Sequence, residues 1–179
     1  MLPHADEPPS EWVRRFAPLV PAGARVLDLA CGAGRHVRVF ADRGCRVVAL
    51  DREPRLGADL AARPGVDVRQ ADLELGPWPL GGERFDAIVV TNYLHRPLFP
   101  YIRAALAPGA VLLYETFALG NGAFGKPSNP AFLLKPGETG AEAEGLAVLQ
   151  GRSRTVSASV PAADTVMNTF CVAVFKAAA

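Results

Sequence analysis

Between Arg25 and Arg35 the chain reads RVLDLACGAGR: an apolar run closed by an acid, then two glycines one residue apart, then a polar start to the next element. Val26, Leu27 and Leu29 suit a buried strand. Gly32 and Gly34 let the backbone turn sharply and approach a ligand with no Cβ in the way. A second apolar run, Arg46 to Leu50, ends in Asp51. A carboxylate at the tip of the second strand of a parallel α/β sheet is placed to meet the hydroxyls of a ribose. By itself Asp51 also fits a helix N-cap ahead of Pro54; paired with the glycine turn it reads as a nucleoside contact.

The features that are missing narrow the ligand. A dinucleotide site uses G-x-G-x-x-G, because a pyrophosphate sits on the helix N-terminus and the third small residue packs helix on strand. Here the frame from Gly32 passes Gly34 and arrives at Val37, a β-branched residue where Gly or Ala is required. Asp28, close to the turn, is ill suited to a pyrophosphate and well suited to a positive charge. No G-x-x-x-x-G-K-[ST] loop occurs, which sets aside a phosphate-cradling NTPase. A nucleoside without phosphate that carries an ammonium and a sulfonium fits: S-adenosylmethionine.

On these residues the chain resembles the class I S-adenosylmethionine-dependent methyltransferases, whose first motif has the form [DE]-x-G-x-G-x-G. Asp28, Gly32 and Gly34 match it, and Ala30 stands at the first glycine, read here as a position that needs only a small side chain. Asp51 resembles the ribose-binding acid, Asp72 in Gln70-Ala71-Asp72-Leu73 the acid that recognises the adenine amino group, and Phe85 to Val90 the fourth strand. The resemblance spans roughly residues 10 to 117. It implies a cofactor set of Asp28, Ala30, Gly32, Gly34, Asp51, Arg52, Asp72, Leu73 and Asn92, with S-adenosylhomocysteine as product. It implies an α/β, Rossmann-like doubly wound fold with a mainly parallel seven-stranded sheet and an antiparallel C-terminal strand, for which residues 170–175 are the candidate. In length, and in having no inserted substrate domain, the chain is similar to the compact bacterial TehB-like (tellurite-resistance and thiopurine-type) branch.

The resemblance implies that the methyl group faces the end of the fourth strand, Thr91-Asn92-Tyr93-Leu94-His95-Arg96. This is not the Asn-Pro-Pro-Tyr motif of methyltransferases that act on nucleobases or glutamine. His95 is a candidate general base, since an imidazole titrates near neutral pH, and it equally well caps the strand or lies in the next helix's first turn. Tyr93 and Asn92 could contact cofactor or substrate. Glu115, after the apolar Val111-Leu112-Leu113, would border the pocket at the tip of the fifth strand. The long 118–140 segment, with Lys126 and Asn129 in a stiff Gly125–Pro130 stretch, is expected to wall the pocket and to offer Lys126 to an anionic substrate group. Trp78 fits either a stack near the adenine or an anchor at the sheet edge. His36 and His4 have no supporting partners in sequence, and no metal is expected.

The elements that must hold these residues alternate. Ser10 caps a helix over Glu11–Leu19; strands follow at Arg25–Asp28, Arg46–Leu50, Val66–Arg69, Phe85–Thr91 and Ala110–Glu115. Between them helices are expected at Gly34–Arg43, from Pro54 to near Arg63, and through Ile102 to Leu106 up to Pro108-Gly109, with a short one or none in 73–84. Further strands are expected near Leu146–Leu149 and Thr169–Lys176. Such alternation implies parallel strands with helices on both faces.

At 179 residues this is most simply one domain, 1–179, with 1–22 as N-terminal helix and lead-in. Charges interrupt every apolar run, so no membrane span is expected. Three cysteines without C-x-x-C spacing suggest a reducing cytoplasm. A net charge of +1 gives no nucleic-acid footprint, so the expected partner is a small-molecule acceptor, with the chain a monomer or homodimer. The expected reaction is in-line displacement at the sulfonium methyl onto a small-molecule or inorganic acceptor. Two alternatives stay open: an RNA or protein methyltransferase working with a partner chain, and a non-catalytic cofactor-binding or interaction module.

Overall fold

The computed structural model describes residues 7–123, 125–135, 138, 146–157 and 167–177. At its centre lie five parallel strands: β1 (Arg25–Leu29), β2 (Arg46–Asp51), β3 (Val66–Gln70), β4 (Phe85–Thr91) and β5 (Leu106–Phe117). They are ordered β3-β2-β1-β4-β5. Two further strands, β6 (Leu146–Ser157) and β7 (Met167–Ala177), follow in the chain. From β1 the chain winds outward through β2 and β3, then returns to lay β4 against the other side of β1, Val26 opposite Ala87 and Leu29 opposite Val90. That reversal opens a crevice beyond the carboxyl ends of β1 and β4.

The period-2 alternation of each strand divides the core into two layers. Leu27, Leu29, Val48, Leu50, Ile88 and Val90 face one side, where Phe99, Ile102 and Ala105 of α4 (Phe99–Ala105) cover them. Val26, Val47, Ala49, Ala87 and Val89 face the other. There α1 (Glu11–Phe16) contributes Val13, and α2 (Arg35–Asp42) contributes Val37, Phe40 and Ala41. Almost all these residues are shut off from water, so the chain is wound on both faces as the alternation requires. Among the described residues no helix is long and apolar enough to cross a membrane.

Element boundaries differ from the sequence reading by more than a residue or two at three places in the parallel part of the fold. The helix expected from Pro54 is a single turn, α3 (Ala58–Ala61). Residues before it are extended (Gly57 at φ −58°, ψ 150°) because they run back across the glycine turn, where the Arg55 N–H donates to the Gly32 carbonyl at 2.9 Å. α1 tightens into a 3₁₀ turn over Ala17–Leu19, where Pro18 lacks the N–H that a continuing α-helix needs. α4 stops at Ala105, and β5 begins at Leu106, earlier than Ala110. A register jump between Phe85↔Leu106 and Ala87↔Val111 absorbs Pro108 and Gly109 as an irregularity in the strand. Residues 73–84 carry no helix, as the Gly and Pro there require.

Candidate active site

The tip of β1 carries a buried polar residue among fully buried apolar ones. Asp28 is 1% exposed, and its Oδ2 has no hydrogen-bond partner among the described residues. Burial pushes its carboxyl up to about 7; the Val37 N–H and the Arg35 charge pull it down only in part. A buried acceptor left unpaired costs free energy of order 1–3 kcal/mol, which a bound ammonium would recover.

Beyond Asp28 the chain turns through Ala30, Gly32 and Gly34, all at positive φ (58°, 53° and 78°). Ala30 therefore occupies a conformation for which glycine is preferred. The position does not need merely a small side chain: it carries left-handed strain of about 1–2 kcal/mol.

Asp51 closes this turn. Its Oδ2 accepts from the Gly32 N–H at 2.9 Å and its Oδ1 from the Glu53 N–H at 2.8 Å. One lone pair remains on each oxygen for a hydroxyl donor. Asp72 lies at the next strand end, Oδ1 accepting from the Glu74 and Leu75 N–H groups at 2.9 and 3.2 Å. Its Oδ2 stands 4.0 Å from the largely exposed Arg52 guanidinium. Leu73 is buried in the layer under α4. These residues fit the proposed cofactor: carboxylates for ribose and ammonium, and open space in front of Gly32, where an added Cβ would meet nothing within 4 Å.

If Asp51 binds ribose, Asp51→Ala should weaken S-adenosylhomocysteine binding by roughly 1.5–3 kcal/mol, the worth of hydrogen bonds to a charged group. Calorimetry on the two proteins checks this, and equal affinities would remove Asp51 from the site.

Beside this corner lies a cavity of about 890 Å³. Asn92, Tyr93 and Leu94 line it after β4, Thr116 and Phe117 at the end of β5, and Lys126–Asn129 with Phe132 from the loop, while Glu7 and Glu74 complete the wall. Asn92 is held at φ 55°, a region Asn tolerates better than most residues, and its N–H donates to the Glu115 carbonyl at 2.8 Å.

The loop is tied down at both ends. The Leu134 N–H donates to the Phe117 carbonyl and the Leu119 N–H to the Leu134 carbonyl, each at 2.9 Å, and buried Asn121 donates Nδ2–H to the Pro127 carbonyl. Arg96 grips it from β4's side, donating to the carbonyls of Ala131 (2.6 Å) and Leu133 (3.0 Å) and pairing with Glu138.

Residues 26–109 match the family model of the methyltransferase domain. Residues 26–109 thus make up a methyltransferase domain. The chain is 36% identical over 100 residues to a trans-aconitate 2-methyltransferase from Methylobacterium nodulans, covering 52% of this chain and 38% of that protein. It is 32% identical over 115 residues to a ubiquinone biosynthesis O-methyltransferase from Methylocella silvestris, covering 57% of this chain and 43% of the relative. The chain thus spans about two fifths of the length of the curated relatives it matches. Among solved structures it is similar to TehB from Haemophilus influenzae, with a TM-score of 0.70 at 16% identity, covering 93% of this chain and 61% of TehB. At that identity the likeness is one of fold.

The predicted residues fall into two groups. Asp28, Ala30, Gly32, Gly34, Asp51 and Asp72 share the strand-tip corner, and Asn92, Tyr93, Lys126 and Asn129 share the cavity wall. His95 and Glu115 are in neither. His95 heads the 3₁₀ turn Arg96–Leu98 and stands off the cavity wall. Glu115 is half-buried, its carboxylate taken by the Ser10 hydroxyl; burial pushes its acidity toward the neutral form. The Tyr93 phenol is pushed up by burial and by Glu74, to which it donates at 3.4 Å, so it serves as a donor and not as a base. Trp78 stacks on Tyr101, ring centroids 5.6 Å apart, and so anchors the 73–84 segment on α4.

Glu7, Ser10, His36, Glu74, Thr116 and Phe132 carry parts of the site that the sequence did not single out. For His36 the structure overturns the reading outright: it is 2% exposed and bonded through both ring nitrogens. His4 lies outside the described residues.

Proposed function

We propose that this chain transfers the methyl group of S-adenosylmethionine to a small-molecule or inorganic acceptor that is already nucleophilic in the cavity, such as a carboxylate, thiolate or oxyanion. The observation that carries this is the chemistry of the cavity wall: Lys126 is a cation there, while each acid and phenol on the wall already has a partner. Glu7 pairs with Arg35, Glu74 accepts from Tyr93, and Tyr93 is held protonated. The two curated relatives' names point the same way, one naming a tricarboxylate and the other an O-methyl transfer.

S-adenosylmethionine supplies a methyl group activated by its sulfonium. Asp28 would hold the ammonium, Asp51 the ribose and Asp72 the adenine amino group. Asn92 and Tyr93 would orient the acceptor as its lone pair takes the methyl in line. The loop and Phe132 would keep water out. Such positioning is worth on the order of 7–11 kcal/mol of barrier, and an anionic acceptor has no proton to lose.

The same reading takes residues 1–179 as one domain in a reducing compartment, the cytoplasm, supported by the free thiols Cys31 and Cys45. It takes the sheet as seven-stranded, closed by an antiparallel β6–β7 hairpin. What supports this is the pairing of β7 along β5, Val111 opposite Lys176 through Phe117 opposite Phe170.

The test is methyl-labelled donor with a panel of carboxylates, thiols, phenols and oxyanions. On an anionic acceptor, Lys126→Ala should raise KM with kcat little changed, the mark of a contact shared by ground and transition states. His95→Ala should leave kcat within a factor of a few. A fall of about 10²–10⁴-fold, the worth of a positioned base, would instead make the acceptor a hydroxyl or protonated amine and His95 its base.

A further inference from the structure

We propose that His36 is a positioning residue that latches the segment Glu7–Ser10 across the crevice, so that this segment closes the acceptor side of the site. His36 lies one residue into α2, inside the turn that carries the cofactor corner, yet it reaches two elements remote in sequence. Its Nε2 accepts from the Ser10 backbone N–H at 3.1 Å, and its Nδ1 faces the Thr91 hydroxyl at 3.3 Å. A backbone N–H can only donate, so Nε2 carries no proton. The neutral ring must then hold its proton on Nδ1 and donate it to Thr91 Oγ1.

Three further ties run from the same segment. The Ser10 hydroxyl donates to Glu115 at the end of β5 while accepting from the Trp12 and Val13 N–H groups. Arg35 pairs with Glu7 at 2.7 Å and donates to the Pro8 carbonyl at 3.4 Å. The segment therefore bridges the start of α2 to the end of β5, and His36 carries the link on to Thr91 at the end of β4. The segment also brings Glu7 into the cavity wall. A charged His36 would lose the Ser10 bond, because Nε2 would become a donor facing a donor. Burial, helped by Arg35, holds the ring far below its ordinary range, at about 3. The charged group acting on it is Arg35, on its own helix and tied to the same segment.

The proposal rests on the methyl-transfer reading only for what the closed segment faces, and its first two readouts need no ligand. In nitrogen-15 spectra of histidine-labelled protein, His36 should be neutral with Nδ1 protonated, unchanged from pH 5 to 8; a ring that titrates there, or that is protonated at Nε2, overturns the latch. In His36→Leu the amides of residues 10–13 should exchange about tenfold faster, the worth of one buried hydrogen bond. His36→Gln, which restores an acceptor near the Nε2 position, should recover part of that protection. Unchanged exchange in the Leu variant, or no recovery with Gln, counts against it.

The third readout is S-adenosylhomocysteine dissociation, expected about tenfold faster in His36→Leu. Protection lost with dissociation unchanged would overturn closure. Failure of the wild type to bind S-adenosylhomocysteine would sink the methyl-transfer reading and leave the latch to the first two measurements. Should His36→Leu not fold, the wild-type spectra still decide the tautomer, and Ser10→Ala, which cuts the tie to Glu115, tests the segment's closure by the same dissociation rate.

Discussion

Asp28→Asn is expected to stabilise the unliganded protein above pH 7 and, in the same variant, to weaken binding of S-adenosylmethionine. The Asp28 carboxyl is buried at the end of β1 with Oδ2 unpartnered, and burial lifts it from 3.8 to about 7. Between roughly pH 4 and 7 the folded chain thus keeps a proton that the unfolded chain has released. Stability must fall as pH rises through that window, with the full loss in place above it. A shift of this size corresponds to roughly 4 kcal/mol. Asparagine has nearly the same shape and no charge to desolvate, so its advantage over the wild type should grow from pH 4 to 7 and then level off. Urea denaturation across that range measures it, and parallel stability curves for the two proteins would contradict the argument. The loss of affinity follows from the same burial: a carboxylate with no protein partner is costly until a cation arrives, and an amide cannot repay an ammonium in the same way. Affinity should drop by about 1.5–3 kcal/mol.

The second large effect is expected at the glycine turn, where two glycines should respond differently. Gly34 sits at φ 78°, and a Cβ there would lie 2.8 Å from Leu56 Cγ and 3.0 Å from Leu60 Cδ2. Gly34→Val combines a left-handed β-branched residue, about 1–2 kcal/mol, with an overpacked contact worth about 1–3 kcal/mol. A loss of roughly 2–5 kcal/mol in stability should follow. Gly32, at φ 53°, faces open space. Gly32→Ala should cost only the backbone strain, yet lose cofactor affinity out of proportion, because its Cβ occupies the ground that the ligand needs. Denaturation and calorimetry on both variants separate the two effects. Gly32→Ala with full affinity would show that the cofactor does not approach this turn.

Much of this was legible in the chain itself, and for local reasons. The order β1, glycine turn, α2, β2, acid is written in short-range patterning: alternating apolar residues make the strands, and glycines make a turn that other residues adopt only under strain. Asp28, Gly32 and Asp51 could be read together because strand tips in a parallel sheet are brought side by side by the winding. The boundaries that were misread fail for a tertiary reason. Residues 54–57 have helical signals, but the hydrogen bond from Arg55 to Gly32 keeps them extended. Ala30 shows the limit of motif reading, since the motif gives size while only the backbone gives φ.

What only the tertiary structure decided is which polar residues meet across large gaps in sequence. His95 and Glu115 stand at the correct strand ends, but the cavity passes between Leu94 and the loop, and Ser10 takes the Glu115 carboxylate. Ser10 carries a clear capping signal, and nothing local says that its hydroxyl also reaches β5, 105 residues away, or that its N–H finds His36. The sequence alone determined the strand-tip corner, because it is built from a local glycine turn and from strand ends that parallel winding sets side by side. Tertiary packing determined the cavity beside it, because its wall is assembled from β4, β5, a loop and the N-terminal segment, whose meeting depends on burial and hydrogen-bond geometry that no spacing encodes.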